Sequence, residues 1–574
     1  MKVKFVLKKL LFVLFFFSFY DIIFAAGNYC LPGYRYRIPI TINNPNSTAL
    51  TNYQVLVVTN TANLISQGKM KSNGADIRFL DPETAALLPY WIEEGTLNTS
   101  STRIWVKVPS VPANSSVTIY MFYGVPNAES ASNGNNVFNF FDDFEDGNID
   151  TSKWNTSYGS GVNIQEVAGG QLLLQKSAGS TGAYAITKTN FSGEYMMECS
   201  VYPYQNYDCK LRIDSLKSDT TNTCSFDKGL FYVPPSVDPN YYIIYFSTYI
   251  TSAHWQQQTY CHKQRISTSV NTWEWINPDY TVLYSSYYAP SGQPAKFRFM
   301  AGDDGGSAVG TLKLNWVFVR KYTSNEPTNS LGSEDVLRIV FVTSSQTITA
   351  GNVSSVMTIQ IQDSSGNPVN VTYNTSILLQ TTSSGGKFYI DASGTTEITR
   401  AVIETGQNSV SFYYKDTKVG TPTITCTEED NQQWSVSQQQ TINPAAPYQL
   451  EFTAQIPNII ANQWFQVGDV VVKDRFGNIV TYDTSTVVSL GIYTNPSGGT
   501  WIEWRGGQPV QTVSNGIASF SWPVKIDKEG YGYKLKAEAN GLVTAVSNSF
   551  NVTVGQVAKI VFLSSPQILQ AGVV

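Results

Sequence analysis

Apolar and polar residues alternate with a period of two along much of this chain. Tyr34, Tyr36, Ile38, Ile40 and Ile42 share one side of the segment 34–42, and Arg35, Arg37 and Thr41 the other. Ile104-Trp-Val106-Lys-Val108 and Val117-Thr-Ile119-Tyr-Met121 keep that period, separated by the turn-forming run Pro109-Ser-Val-Pro112-Ala-Asn114. Successive strand side chains point to opposite faces, so the pattern predicts half-buried antiparallel strands. Residues 61–66 form the one modest helical candidate. The expected class is all-β.

The second half of the chain repeats itself. Leu337-Arg-Ile-Val-Phe341 is echoed by Tyr448-Gln-Leu-Glu-Phe452 and by Ala558-Lys-Ile-Val-Phe562. Asp363-Ser-Ser-Gly366-Asn367-Pro-Val369 returns 111 residues later as Asp474-Arg-Phe-Gly477-Asn478-Ile-Val480. A fixed period of this size marks serial copies of one domain, here 336–446 and 447–556, with 557–574 the start of a third. A lone opening strand at 559–563 cannot bury a sandwich face. The expectation is therefore a chain that continues past Val574, the alternative being that this strand pairs with another chain. Short strands with turn signals every 8–12 residues fit an immunoglobulin-like sandwich, although the Cys…Trp…Cys spacing of antibody domains is absent. The Asp-x-x-Gly-Asn-x-Val turn resembles that of the bacterial immunoglobulin-like domains of invasin-type surface proteins. Gly366 and Gly477 would supply its positive φ.

Composition narrows the partners. Charged residues are 14% of the chain and the formal net charge is −5. Nucleic acid and anionic lipid both require clustered Lys and Arg, so neither is expected as a partner. Lys2, Lys4, Lys8 and Lys9 precede an apolar run at 10–20, and Ala25, Ala26 and Gly27 follow. Basic, apolar, small is the order of a secretory signal peptide, placed at 1–26. The apolar run is short against the ~20 residues a spanning helix needs, and no other stretch is apolar enough. The mature chain is thus expected outside the cell, secreted or at the cell surface, with no membrane-spanning segment. All six cysteines lie in it, as an oxidising compartment allows. Cys199, Cys209, Cys224 and Cys261 fall close enough for two local disulfides, with three pairings open. Cys426 has no counterpart in the second repeat and reads as a buried free thiol.

The blocks Tyr34-Arg-Tyr-Arg-Ile-Pro-Ile40, Gly68-Lys-Met-Lys-Ser-Asn-Gly-Ala-Asp76-Ile-Arg78-Phe79, Pro89-Tyr-Trp91-Ile-Glu93, Ile104-Trp-Val-Lys-Val108 and Ile119-Tyr-Met-Phe-Tyr-Gly124 occur in order. Together they resemble the domain of unknown function 2341, which is found near the front of secreted multidomain prokaryotic proteins. That resemblance implies a β-sandwich at 27–137 and brings no activity with it. A new unit opens at Phe140-Phe-Asp142-Asp143-Phe144-Glu-Asp146-Gly147, followed by Lys153-Trp154, and closes near Lys313-Leu-Asn315-Trp316-Val-Phe-Val-Arg320. These bookends resemble the concanavalin-like (laminin-G-like) jelly roll, which implies two packed antiparallel sheets across 138–335. The usual Asp before the closing Trp is Asn315 here.

Several constellations invite chemistry. Laid on the twelve-residue calcium loop, Asp142 and Asp146 occupy ligand positions, but Phe144 and Lys153 stand where oxygens are needed, which rejects an EF-hand. A structural calcium held by Asp142, Asp143 and Asp146 with Asp303 is the one cofactor option. The plain alternative is an acidic turn leading into a buried Trp154. Glu194 and Glu198 share a strand face, as an acid and nucleophile pair must. Jelly-roll glycosidases show Glu-x-Asp-x-(x)-Glu, however, and Met196 replaces the central Asp. His254 and His262 flank Cys261 without metal-ligand spacing, and no Gly-x-Ser-x-Gly elbow supports a triad. Trp255, Gln257, Trp273 and Trp275 combine flat rings with an amide, as either a sugar platform or a hydrophobic core would. Arg78 and Glu93 read as a structural ion pair. Nine Asn-x-Ser/Thr sequons, among them Asn46 and Asn98, occur in a chain rich in these residues.

The expected function is surface adhesion or binding, the jelly roll contacting a glycan or surface protein from the tip of an immunoglobulin-like stalk. A polysaccharide-active enzyme and a passive envelope component are the rival readings.

Overall fold

The computed structural model describes residues 28–179, 181–204, 210–217, 229–231, 243–245, 248–250, 260–266, 271–276, 282–288, 295–302, 309–503, 509–555, 561, 563 and 572. The expected signal peptide at 1–26 and nearly all of the third copy lie outside them. The chain divides into two compact units, 1–337 and 338–574. Both are built of β-sandwiches. The helix expected at 61–66 is present as Thr61–Ser66, capped by Asn60, whose side chain accepts from Asn63 N at 3.0 Å. A second short turn of helix, Gly134–Val137, has no hydrophobic period to announce it. Only glycine fits at its first position: a Cβ on Gly134 would stand 2.2 Å from the Phe141 ring.

The first unit stacks four sheets in series. The outermost has strand order Thr328–Leu331, Tyr36–Asn44, Ser115–Tyr123, Arg78–Asp81, Ala86–Leu88. The next is Leu50–Thr59, Thr102–Val111, Tyr90–Ile92. Between them lies a core that includes Ile38, Ile40, Ile42, Val55, Val57, Ile104, Val106, Ile119 and Met121, the inward set read from the alternation. The third sheet belongs to the jelly roll. It runs Val162–Val167, Gln171–Lys176, Gly310–Lys321, Tyr195–Tyr204, Tyr260–Ile266, Asn271–Ile276, Val282–Tyr288. The fourth contains Trp154–Thr156, Ala183–Thr187, Ala295–Ala301, Lys210–Lys217 and Gly229–Phe231. Leu172, Leu174, Met197, Val201, Phe297, Phe299 and Trp154 are among the residues that fill the space between these last two. The opening strand Phe140–Asp142 pairs with the closing strand Gly310–Lys321, as a jelly roll requires.

The first domain is completed by residues far from it in sequence. The jelly-roll reading ran to residue 335. After the closing strand, however, the chain returns to the outermost sheet: Thr328–Leu331 pairs with Ile40–Asn43, and Asp335–Val336 with Tyr36–Arg37. The jelly roll is thereby inserted within the first domain's sheet. The return is fastened by ions. Arg37, 3% exposed, donates through Nε to Asp335 Oδ2 at 2.8 Å and through Nη1 to the Tyr29 carbonyl at 3.0 Å. Tyr123 donates to Glu334 at 2.6 Å.

In the second unit each repeat is a two-sheet sandwich of the same strand order. In the first, Arg338–Phe341, Met357–Gln362 and Ser409–Asp416 face Arg400–Ile403, Thr375–Thr381, Thr423–Glu428 and Ser435–Gln439, and Thr347–Thr349 runs parallel to Thr441–Asn443. In the second, Gln449–Phe452, Gly468–Lys473 and Ile517–Phe520 face a sheet in which Ile459–Ile460 runs parallel to Phe550–Thr553. The repeated turn is also the same in both. Asp363 Oδ1 accepts from Ser365 N and Asn367 N, and Asp474 Oδ1 from Phe476 N and Asn478 N, all at 2.8–3.0 Å. Gly366 and Gly477 take φ of +84° and +89°, the conformation for which glycine was expected. Cys426 is a free thiol buried in the first sandwich, its pKa pushed up to about 12 by burial.

The return segment predicts its own test. Asp335→Asn leaves the Arg37 guanidinium buried without its carboxylate, which costs about 3–5 kcal/mol. Urea unfolding should show that loss in the first unit and leave the transition of the repeats unmoved.

Candidate functional site

The candidate site is the face of the jelly roll that carries the paired glutamates, and it is built around one extra residue. Along Gly310–Lys321, Leu312 and Leu314 point into the core, yet so do Val317 and Val319. The change of parity falls at Asn315, where the pairing with Tyr195–Tyr204 slips: Ser200 faces Trp316 while Val201 faces Leu314. Asn315 is the unpaired residue of a β-bulge. Its amide donates to Ser200 Oγ at 2.9 Å and its carbonyl accepts from Gln171 Nε2 at 2.8 Å. The bulge turns Trp316, Phe318 and Arg320 onto the outer face, the same face as Glu198 on the neighbouring strand.

That outer face is covered by the first domain. Trp91 and Trp105 project from the back of the first domain's inner sheet and meet Trp316 and Phe318 edge to face, with Trp105 and Phe318 centroids 5.2 Å apart and Trp91 and Trp316 5.7 Å apart. Phe138 stacks on Phe318 at 4.0 Å and Phe141 closes on Trp91 at 5.1 Å. Such pairs are worth about 0.5–1.5 kcal/mol each beyond the area they bury. Arg320 runs through this layer. Its Nε donates to Glu198 Oε1 at 2.8 Å, its Nη1 to Glu326 Oε1 at 2.7 Å, and its guanidinium lies 5.1 Å from the centre of the Trp105 ring. Tyr53 of the first domain donates to the other oxygen of Glu326 at 2.7 Å.

Glu198 is thus held as an ion. Glu198 is 3% exposed. Burial raises its pKa, but Lys263, 3.6 Å away, and Arg320 outweigh that and hold the carboxyl below its ordinary 4.5. Glu194 pairs with Arg265 at 3.2 Å. A glycosidase acid needs a raised pKa and a cleft that admits a sugar. Glu198 has the opposite shift and lies beneath another domain.

The other candidate residues separate. The Arg78–Glu93 pair does not form: Arg78 donates to the carbonyls of Ala75, Ile77 and Glu129, while Glu93 takes Arg103 Nε at 2.9 Å and the Trp105 indole at 3.1 Å. Asp76 instead accepts from the backbone of Lys71 and Gly124, tying a loop to a strand end. Of the calcium candidates, Asp142 and Asp146 are engaged within the protein. Asp142 Oδ2 accepts from the Trp154 indole at 2.7 Å, Oδ1 accepts from Phe144 N, and Lys153 stands 3.8 Å away. Asp142 is buried, not solvated, and desolvation raises its pKa even against these donors. Asp143 is raised too, by burial first and then by Glu145. Asp146 closes a turn on Asn148 N at 3.2 Å, and Asp303 lies outside the described residues. Among the described residues no three His, Cys, Asp or Glu side chains could share a metal.

Trp255 and Gln257 lie outside the described residues, as do Cys209 and Cys224. The ladder places Trp273 in the row of Gln264 and Met197, and Trp275 in the row of His262 and Cys199. Met197 and Cys199 are core residues of the jelly roll. In the ladder Cys261 stands opposite Ser200, one position from Cys199. No pattern in the sequence announced Arg320. A cation two residues after the outward Phe318, with Glu326 shortly beyond, was the one available signal.

A family model for the domain of unknown function DUF2341 matches residues 73–157, which takes in the strands carrying Trp91, Trp105 and Phe141. "Uncharacterized protein 562" of Sulfolobus islandicus rod-shaped virus 1 is 39% identical over 94 residues, covering 16% of this chain and 16% of that protein. The chain thus matches less than a fifth of that relative's length. Among solved structures, an endo-beta-1,3-glucanase from Pyrococcus furiosus is 12% identical over 33% of this chain and 95% of its own, with a TM-score of 0.25. A Bacillus licheniformis beta-glucanase is 13% identical over 32% of this chain and 98% of its own, with a TM-score of 0.24. Likenesses of that size carry no argument about activity.

Two measurements check the electrostatics. Glu198→Gln leaves Arg320 short of its buried partner and should destabilise the first unit by about 3–5 kcal/mol. A variant within 1 kcal/mol of the parent, a margin typical of exposed pairs, would contradict the burial. Glu166 is pushed up to about 7, by burial first and then by its hydrogen bond to Asp146. Between its ordinary 4.5 and about 7 the folded protein keeps a proton that the unfolded chain has lost, so stability falls as pH rises through that window. Glu198 acts in the other direction and in a separate range, its contribution fading as pH falls below 4.5. The thermal midpoint of Glu166→Gln should therefore be flatter than the parent's between pH 4.5 and 7, and millimolar calcium should move neither.

Proposed function

We propose that this chain is an exported surface protein that binds and does not cleave. Its first domain and inserted jelly roll form one rigid head, and the repeats are immunoglobulin-like sandwiches of the invasin type that carry it. The observation that carries this reading is the Glu198 carboxylate, ionised, paired and sealed under the first domain, where a hydrolase would need an open acid. Support for the repeats comes from the shared strand order and the shared Asp-x-x-Gly-Asn turn. The ligand class is a glycan or a surface protein, for which the sequence offers the flat rings of the aromatic-rich segment 241–280.

The fragment to test is 28–337, because the first domain lacks an edge strand without residues 328–336. Binding of this fragment to a glycan array or capture of a defined cell-surface protein supports the proposal. Silence in both removes it. Hydrolysis of a β-glucan that Glu198→Gln abolishes, with the fold intact, would replace it with the enzyme reading.

A further inference from the structure

The repeated turn does a second job in the second repeat. Besides closing its own loop, Asn478 reaches into the preceding sandwich: its Nδ2 donates to the Thr417 carbonyl at 2.8 Å and its Oδ1 accepts from Val419 N at 3.2 Å. Asp474 Oδ2 accepts from Ala445 N at 3.0 Å, and Tyr482 donates to the Ala445 carbonyl at 3.1 Å. Ala445 belongs to the connector Pro444-Ala-Ala-Pro447, whose prolines already restrict φ. Phe476, at the tip of the turn, lies against Gly351 of the first repeat. A Cβ there would stand 2.2 Å from the ring, and the Gly351 φ is +83°. The connector is thus held at Ala445 by the second repeat, and the turn of that repeat is fixed on the repeat before.

We infer that the Asp-x-x-Gly-Asn turn is the docking element by which the second repeat seats on the first, with Phe476 as the knob, Gly351 as the socket and Asn478 as the clasp. The joint is a fixed one, so the pair of sandwiches moves as one rod. Domains joined by a linker move relative to one another by default. Three directional hydrogen bonds on the turn's Asp and Asn, a fourth from Tyr482 and a ring seated on a glycine remove that freedom. The inference deepens the stalk reading above but does not rest on what the head binds.

The residues at the joint are not generic to the copies. The turn of the first repeat has Ser365 where the second has Phe476. The far end of the second repeat has Asn462 where the first has Gly351: Gly351 N donates to the Asp416 carbonyl and Asn462 N to the Ile526 carbonyl, the same position in each sandwich. Asn462 carries the Cβ that the socket cannot hold. Knob and socket are therefore matched for this junction, and a following copy would meet a different surface.

The test uses the full chain. Spin labels introduced as unnatural amino acids at Val402 and Val510, exposed positions one in each repeat, report the distance between the sandwiches by pulsed electron resonance. The parent should give a single narrow distribution. Asn478→Ala combined with Phe476→Ser should at least double its width while amide exchange in both sandwich cores stays native. Gly351→Ala attacks the receiving end without touching the turn and should broaden the distribution in the same way, which keeps the test open if the first variant disturbs its own loop. A broad distribution in the parent overturns the inference, as does a narrow one in a correctly folded variant. A parent that binds neither glycan nor surface protein, while its distribution is narrow and those of the variants broaden, would count against the functional proposal and leave the joint standing.

Discussion

The layer of rings formed by Trp91, Trp105, Phe138, Phe141, Trp316 and Phe318 decides what the first unit can do. It cements two sandwiches face to face and covers the sheet surface on which Glu198 stands. Apolar burial drives the contact, and the edge-to-face geometry of the indoles adds specificity. Arg320 is tolerated inside it because Glu198, Glu326 and the Trp105 face satisfy its charge, and burial that opposes that charge is overcome by the two carboxylates. Without the layer, the face of the sheet that bears Glu198 would be open to solvent. With it, the face is interior.

The same logic explains the chain's detour. A first domain that ended at residue 137 would leave Tyr36–Asn44 as a bare edge, and exposed edges invite unwanted pairing. The returning segment 326–336 covers that edge and places Glu326, Glu334 and Asp335 against Tyr53, Tyr123 and Arg37. Insertion thus makes the first domain and the jelly roll mutually dependent: one supplies the aromatic face, the other returns the strand.

Local pattern made most of this readable and long-range pairing made the rest invisible. The alternation at 34–42, 104–108 and 117–121 marked strands and their inward faces correctly, because each half-buried strand must show a period of two. The helix at 61–66 and the glycines of the repeated turn were legible for equally local reasons. The bulge at Asn315 was not. It appears in the sequence only as an unusual residue before a Trp, and its effect is to exchange the faces of the rest of the strand beyond it. The returning strand pairs Ile40 with Leu331 across nearly the whole unit, a distance no periodicity reports. Arg78 was paired with the wrong partner because strand parity fixes a side, not a neighbour, and nearby carbonyls were available to it. The calcium residues looked like ligands because carboxylates cluster in the sequence. In three dimensions both Asp142 oxygens accept hydrogen bonds, from Trp154 and from a turn amide, and Asp146 closes a turn on Asn148.

The face of the jelly roll that bears Glu198 is interior, and hydroxyl-radical footprinting of the intact chain reads that directly. Trp91, Trp105 and Trp316 should be oxidised far more slowly than Trp522, which is 42% exposed. Oxidation of those three at a rate comparable to Trp522 would mean that the face is open to solvent, and the account of a sealed, non-hydrolytic head would be wrong.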